Sequence, residues 1–327
     1  METRRDVREH RGHFYKNKDL VRRVLAKYAH DEFTAAERKP GEDQAARPAL
    51  PAQEWTLIGL GDMEDFWLND SWDDESLIGD VIDQNRAIYD LIAREFHRAK
   101  RFIKIRGNHD AVWSEESAVR KLQRAGYRDL RVYDFAHMSW NGDHVLFMHG
   151  HQFDRPNCDN NGAIGKFITK AFAAVADTID VDAVEYPLIP APAPFYGPDV
   201  AKRRIDNIDK ATNPANISEW EPDAVKQMAR YKCSLVAGHS HSPVLVWDGP
   251  THQKAVRDEV DKVLKGFFYA NTGCVGWTEG CIPVLEITAD GIYMKAWEIK
   301  NGRVSLYKSV PLERQKAACN FASGERR

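Results

Sequence analysis

The stretch Leu146-Phe147-Met148-His149-Gly150-His151 decides how this chain is read. A short apolar run stops abruptly in His-Gly-His, where a buried strand would leave its sheet. Three other stretches have the same shape. Trp55-Thr56-Leu57-Ile58-Gly59-Leu60 runs into Gly61-Asp62, and Phe102-Ile103-Lys104-Ile105 runs into Gly107-Asn108-His109-Asp110. Cys233-Ser234-Leu235-Val236-Ala237 runs into Gly238-His239-Ser240-His241. Four strand-like runs therefore end in clusters of Asp, Asn and His. In an open α/β sheet the functional groups gather at the carboxyl ends of strands, so the rest of the chain reads as the scaffold that brings these four ends together.

Outward from this hub, Leu20, Val21, Val24, Leu25 and Tyr28 recur at helical spacing and predict an amphipathic helix from Asn17 to about His30. Residues 36–53 read as a surface loop. Leu77, Val81, Ile82, Ile88, Leu91, Ile92 and Phe96 place one helical face over residues 76–100. Ser114 is the expected N-cap of the next helix, with Ser117 as the competing start. Strands are expected at Arg131–Phe135 and His144–Met148, with Asn141-Gly142 as the hairpin turn before the second. Residues 155–230 break the rhythm. Ile164–Ile179 is apolar at helical spacing, Pro187–Pro198 holds five prolines, and Asp223–Tyr231 is helical again. They read as a helical insertion or cap. Val244–Trp247, Phe267–Ala270, Val284–Ile287 and Tyr293–Ile299 then predict antiparallel strands, with Asp290-Gly291 as a turn. The domain reading is a single α/β unit over residues 1–310, followed by a polar tail over 311–327.

The totals narrow the function classes. In 327 residues, 43% are hydrophobic, which supports a sizeable core. A net charge of −3 argues against a nucleic-acid partner held by bulk charge. The 5 cysteines show no C-x-x-C spacing, so neither a disulfide framework nor a thiolate zinc site is expected, and a cytoplasmic setting is the default. The charged N-terminus lacks the apolar core of a signal peptide, and no apolar run reaches the roughly 18–20 residues of a membrane span.

Asp, Asn and His supply the oxygen and nitrogen donors suited to hard and borderline divalent metals. A carboxylate can bridge two cations, Asn offers a neutral carbonyl oxygen, and imidazole a lone pair. The adjoining glycines let the chain turn sharply enough to present those donors. Each cluster alone is compatible with turn chemistry. The histidines of Gly238-His239-Ser240-His241, two apart on an extended segment, share one side. Together, in this order and each behind an apolar run, the four clusters point to a metal site.

The series Gly61-Asp62-x-x-Asp65, Gly107-Asn108-His109-Asp110, His149-Gly150-His151 and Gly238-His239-Ser240-His241, with Asn271-Thr272-Gly273 after a later strand, resembles the calcineurin-like metallophosphoesterase superfamily over about residues 55–300. The resemblance implies an α/β fold in which two central sheets form a sandwich flanked by helices. It also implies hydrolysis of a phosphomonoester, phosphodiester or pyrophosphate bond by in-line attack of a metal-bound hydroxide. Two divalent ions are implied, Mn, Fe or Zn. Asp62 would bridge them, Asn108, His149 and His239 would complete the second site, and His241 would bind the first. His109, followed by Asp110, would stabilise the transition state or protonate the leaving oxygen. Asn108 and His151 would contact substrate, a small-molecule or lipid-linked phosphate ester. Gly61-Asp62-x-x-Asp65-Phe66-Trp67 and the long insertion resemble the UDP-2,3-diacylglucosamine pyrophosphatase branch, which tends to carry Arg at the position of His109.

One departure tempers the carry-over. The family opens with D-x-H at the end of a first strand, and nothing of that form precedes Gly61-Asp62. Asp6, Glu9, His10 and His13 have no apolar strand before them. Two explanations stay open, a first strand lying upstream of Met1 or a depleted first site. On the chain as given, weak or absent binding of the first metal is expected. A catalytically weak relative acting as a binding or scaffold protein is the alternative function.

Overall fold

The structure is a computed structural model that describes residues 13–34, 37, 54–66, 73–154, 206, 224, 233–241, 243–247, 267–275, 280–289 and 291–312. The expected insertion over 155–230 lies outside the described residues apart from Asp206 and Ala224. So do most of the loop 36–53 and the tail beyond residue 312.

Helix α1 (His13–Ala29) carries the predicted apolar stripe. Leu20, Val24 and Tyr28 are buried against Phe96, Ile282 and Trp297. Full burial of such a side chain is worth about 1.5–3 kcal/mol, so this stripe fixes the helix in place. Buried Asn17 adds direction, since its Nδ2 donates to Val275 O at 2.8 Å and its Oδ1 accepts from Gly280 N at 2.9 Å.

Strand β1 (Leu57–Leu60) pairs in parallel with β2 (Phe102–Ile105), which pairs in parallel with β3 (Val132–Tyr133). The β1–β2 crossover is not the single helix expected over 76–100. It comprises α2 (Asp74–Gln84) and α3 (Arg86–Leu91), the latter running into a π-helical turn at Ile92–His97. The break falls at Asn85, whose side-chain Nδ2 donates to Val81 O at 2.9 Å and so competes with the backbone for that acceptor. Helix α4 (Glu116–Arg124) starts at neither expected serine. Ala111–Ser114 forms a 3₁₀ turn instead, and Glu115 precedes α4 without a side-chain cap. Ile78, Val81, Ile88, Ile92, Trp113 and Leu122 pack these helices on one face of the parallel sheet.

The second sheet has the order β4-β5-β6-β8-β7. It comprises β4 (Phe135–Trp140), β5 (Asp143–Met148), β6 (Ser234–Ala237), β7 (Pro243–Trp247) and β8 (Phe268–Thr272). β5, β6 and β8 run parallel to one another, while β4 and β7 are antiparallel edges. The expected strand Arg131–Phe135 is split at Asp134 between β3 and β4. Asn141 and Gly142 take φ of 50° and 87°, the left-handed pair a two-residue hairpin turn requires. A third, antiparallel sheet holds β9 (Cys281–Thr288), β10 (Gly291–Lys300) and β11 (Arg303–Pro311). The sandwich is thus built from three hydrogen-bonded sheets. Ile105, Val145, Phe147, Val236, Phe268, Ala270 and Ile292 share one core across all of them.

Two buried ion pairs sit in this apolar setting. Lys104 Nζ lies 2.6 Å from Glu64 Oε2, and Glu64 also accepts from Trp113 Nε1 at 2.8 Å and Tyr89 OH at 2.7 Å. Lys295 Nζ lies 2.6 Å from Glu286 Oε2 and donates to Glu37 O, while Tyr28 OH bonds the other Glu286 oxygen. Each buried charge therefore has an opposite partner and further hydrogen bonds, the condition for tolerating it.

Candidate metal centre

The four polar clusters leave the carboxyl ends of β1, β2, β5 and β6, two parallel strands from each of two sheets. One hydrogen bond ties the turns after β5 and β6, and a side-chain bond joins the two sheets. Gly238 N donates to His149 O at 2.8 Å, and His149 Nδ1 donates to Leu60 O at 2.8 Å.

That last bond sets the chemistry. A carbonyl only accepts, so Nδ1 carries the hydrogen and Nε2 of neutral His149 presents its lone pair. Asp62 Oδ2 is 2.9 Å from Nε2, Asn108 Oδ1 is 3.1 Å away, and His239 Nδ1 is 3.2 Å away. The ligand atoms of Asp62, His149 and His239 lie within 4.8 Å of one another. A carboxylate, an amide oxygen and two imidazole nitrogens converge on one point. A proton on Nε2 and a divalent cation are the alternative ways of reconciling them. Burial disfavours charge on His149, but the Asp62 carboxylate outweighs it and holds the imidazole above its usual range. Burial likewise opposes charge on Asp62, and the positive field of His149 and His109 overrides it, keeping the carboxyl well below its usual range.

The backbone is bent to make this possible. Asp62, His239 and His241 have φ of 48°, 65° and 56°, in the left-handed region that non-glycine residues seldom adopt. Such conformations cost about 1–2 kcal/mol each and cluster where a side chain must be aimed. Two glycines clear the space. A Cβ on Gly61 would lie 2.7 Å from His149 Nδ1, and one on Gly107 would collide with Asp62 Oδ1. Asn271, buried on β8, donates from Nδ2 to Gly238 O and accepts from Gly273 N at 3.0 Å. The Asn-x-Gly thereby pins the turn that carries His239.

His109 adjoins the cluster through its backbone N–H, which donates to Asp62 Oδ1 at 2.9 Å. Its Nδ1 lies 3.0 Å from Asp65 Oδ1. Burial works against charge on Asp65, and His109 more than compensates, lowering its pKa. His241 is half-buried beside the cluster. Burial, reinforced by the charges of His239 and His109, pushes its pKa down to about 3. His151 is fully buried, its ring centroid 5.4 Å from that of His149 and 6.4 Å from that of His239.

Asp110, expected beside His109 in the chemistry, lies fully buried behind the loops. One oxygen accepts from Gly107 N and the other from Met63 N at 3.2 Å, so it ties the turn after β1 to the turn after β2. Burial raises its pKa to about 7, aided by Asp62 and Glu64 against the pull of Lys104.

Two carboxylates that contact the histidines of the cluster are not marked by the sequence pattern. Asp65 stands in the Gly61-Asp62-x-x-Asp65 motif, yet its role as partner of His109 emerges only in space. Asp154 follows His149 by five residues, and its Oδ2 lies 2.9 Å from His239 Nε2. No spacing rule marks it, because the 3₁₀ turn His151–Phe153 carries it back.

The family model for calcineurin-like phosphoesterase matches residues 61–243. No curated protein matches the chain. Among solved structures it is similar to a double mutant of Vps29 from Entamoeba histolytica, at 13% identity and a TM-score of 0.28, with 84% of this chain and 94% of that one covered. It is also similar to wild-type Vps29 of Entamoeba histolytica complexed with zinc, at 13% identity and a TM-score of 0.21, with 59% of this chain and 75% of that one covered. At that level of superposition neither likeness bears on what the chain does. The matched segment begins at the Gly61 turn, ends just past the His239 and His241 pair, and spans more than half of the 327 residues. On that match the chain belongs to the calcineurin-like phosphoesterase family.

Proposed function

We propose that this chain hydrolyses phosphate ester bonds with a divalent cation held by Asp62, Asn108 Oδ1, His149 Nε2 and His239 Nδ1. The observation that carries the reading is the convergence of three acceptors on His149 Nε2 while its Nδ1–H is committed to Leu60 O. The donor set of one carboxylate, one amide oxygen and two imidazoles suits Mn, Fe or Zn. Bound there, such a cation supplies Lewis acidity toward a phosphoryl oxygen and lowers the pKa of water.

The chain's own groups do the rest. Asp65 holds the Nδ1 side of His109, which leaves Nε2 to steady the phosphoryl oxygens or give a proton to the leaving oxygen. Asn108 Nδ2 is buried with no hydrogen-bond partner among the described residues, which supports a contact with a phosphoryl oxygen while Oδ1 faces the cation. Asp110 acts as a positioning residue that keeps Asp62 and Asn108 in register. His151 and His241 stand as further contacts to cation or phosphate. The substrate class is a small-molecule or lipid-linked phosphomonoester, phosphodiester or pyrophosphate. Among the described residues no helix is long and apolar enough to cross a membrane.

Among the described residues Asp62 and His241 are the donors available to the other cation of the family's pair. That thin donor set favours one alternative, a catalytically weak relative that binds or scaffolds. Hydrolysis of bis-p-nitrophenyl phosphate with added manganese separates the two readings. Turnover that falls in both His109→Ala and Asp62→Asn supports the phosphoesterase. Turnover unchanged in both variants rules out the site, and none in the parent chain favours the scaffold.

A further inference from the structure

A second pair of imidazoles lies away from the centre described above, on the hairpin formed by β4 and β5. His137 Nε2 is 2.8 Å from His144 Nδ1, and the ring centroids are 5.0 Å apart at 31°. Both residues are exposed. The register explains the meeting. His144 is opposite Ser139, and His137 precedes Ser139 by two residues in β4, so the histidines form a diagonal pair on one face. Diagonal neighbours are within reach of long side chains, and strand twist brings one diagonal closer. The two-residue turn at Asn141 and Gly142 fixes that twist, with both residues at positive φ.

We propose that His137 and His144 form a surface bis-imidazole site for a borderline divalent cation of the zinc, nickel or copper class. Each ring offers one nitrogen to the same point, and neutral imidazole is a preferred ligand for these ions. Zinc-to-nitrogen bonds of about 2.0–2.1 Å in a tetrahedral arrangement separate two such ligands by about 3.3 Å. The rings therefore open by about half an ångström, a small rotation for exposed side chains. At present one ring N–H donates to the other's lone pair. Moving that hydrogen to the other nitrogen of the donating ring frees both facing nitrogens, and the cation takes the place of the shared proton with no net change in protonation. The remaining coordination positions face solvent and take water or an outside donor. This site is independent of the phosphoesterase reading, since neither histidine touches Asp62, Asn108, His149 or His239.

The test is a Cu²⁺ titration of the full chain, followed by electron paramagnetic resonance, for the parent, His137→Gln and His144→Gln. Both positions are exposed, so the variants should fold and keep the parent's manganese-dependent turnover. The proposal expects the parent to take up one equivalent more than either variant at the same free copper, with nitrogen hyperfine structure from two imidazoles. Each variant should weaken that equivalent tenfold or more, because one imidazole alone cannot chelate. Superimposable binding curves for all three chains would overturn the proposal and leave the pair as a hydrogen bond only. Loss of copper in just one variant would also overturn it.

Discussion

The imidazole of His149 donates its Nδ1–H to the carbonyl oxygen of Leu60 at 2.8 Å. Leu60 ends β1 in one sheet and His149 follows β5 in another, so one hydrogen bond spans the sandwich and fixes a tautomer. Every donor that converges on Nε2 depends on it.

Replacing Asp62 with Asn removes the charge from the cluster and leaves an amide where a cation needs a carboxylate. Cation affinity should fall by more than the roughly 10–100-fold typical of a lost outer partner. A manganese titration followed by calorimetry reads it directly.

Asp154→Asn tests such an outer partner. The amide keeps an acceptor for His239 Nε2 but loses the charge, so the bond weakens and the ring is held less firmly. Cation affinity should drop by about 10–100-fold, with the fold intact by circular dichroism. An unchanged affinity would remove Asp154 from the site.

Gly107→Ala should damage the centre without touching a donor, since the added Cβ falls on Asp62 Oδ1. Overpacking of this kind costs about 1–3 kcal/mol of stability. Urea unfolding gives the cost, and the cation titration should weaken in parallel.

His109→Ala should leave cation affinity near the parent's and lower the hydrolysis rate by about 10²–10⁴-fold, the range for a lost general acid. Asp65→Asn should fall between, because it disturbs the orientation of His109 and spares its imidazole. Steady-state kinetics with saturating manganese separates the two.

Acid stability should depend on Glu64 and Lys104. Burial raises the Glu64 pKa, but Lys104 and the hydrogen bonds outweigh it, so the net value lies below the ordinary 4.5. A lowered carboxyl contributes stability that is fully present above about pH 4.5 and is lost as pH falls through the folded value. Lys104→Met removes the counter-charge and leaves a buried carboxylate unpaired, at a cost of about 3–5 kcal/mol near neutral pH. Chemical denaturation at pH 7 and pH 4 should show that gap narrowing in acid.

The four strand ends were legible because each apolar run stops at a glycine beside a donor, a pattern that needs no tertiary information. The sandwich was implied by the family resemblance those ends carry, while the parallel pairing of β8 with β6, where an antiparallel run was expected, was not legible. Asp65, Asp154 and the Glu64 and Lys104 pair were not legible, since a carboxylate's partner is chosen by how loops fold back rather than by spacing. The break at Asn85 was hidden because the apolar periodicity continues across it while the side-chain amide takes Val81 O. Strand β11 does alternate through Val304, Leu306 and Val310, but Lys308 and the lack of a following turn signal obscured it. The placement of Asp110 was not legible either, since both its oxygens accept from backbone N–H groups that only the folded loops bring together.

The central claim is that Asp62, Asn108, His149 and His239 hold a divalent cation, and metal content tests it most directly. The parent chain, Asp62→Asn and His149→Ala would each be loaded with manganese, freed of weakly held ions by gel filtration, and assayed by elemental analysis. The account predicts one tightly held cation per parent chain and its loss from both variants. A parent chain that emerges metal-free, or variants that retain the parent's full content, would contradict it.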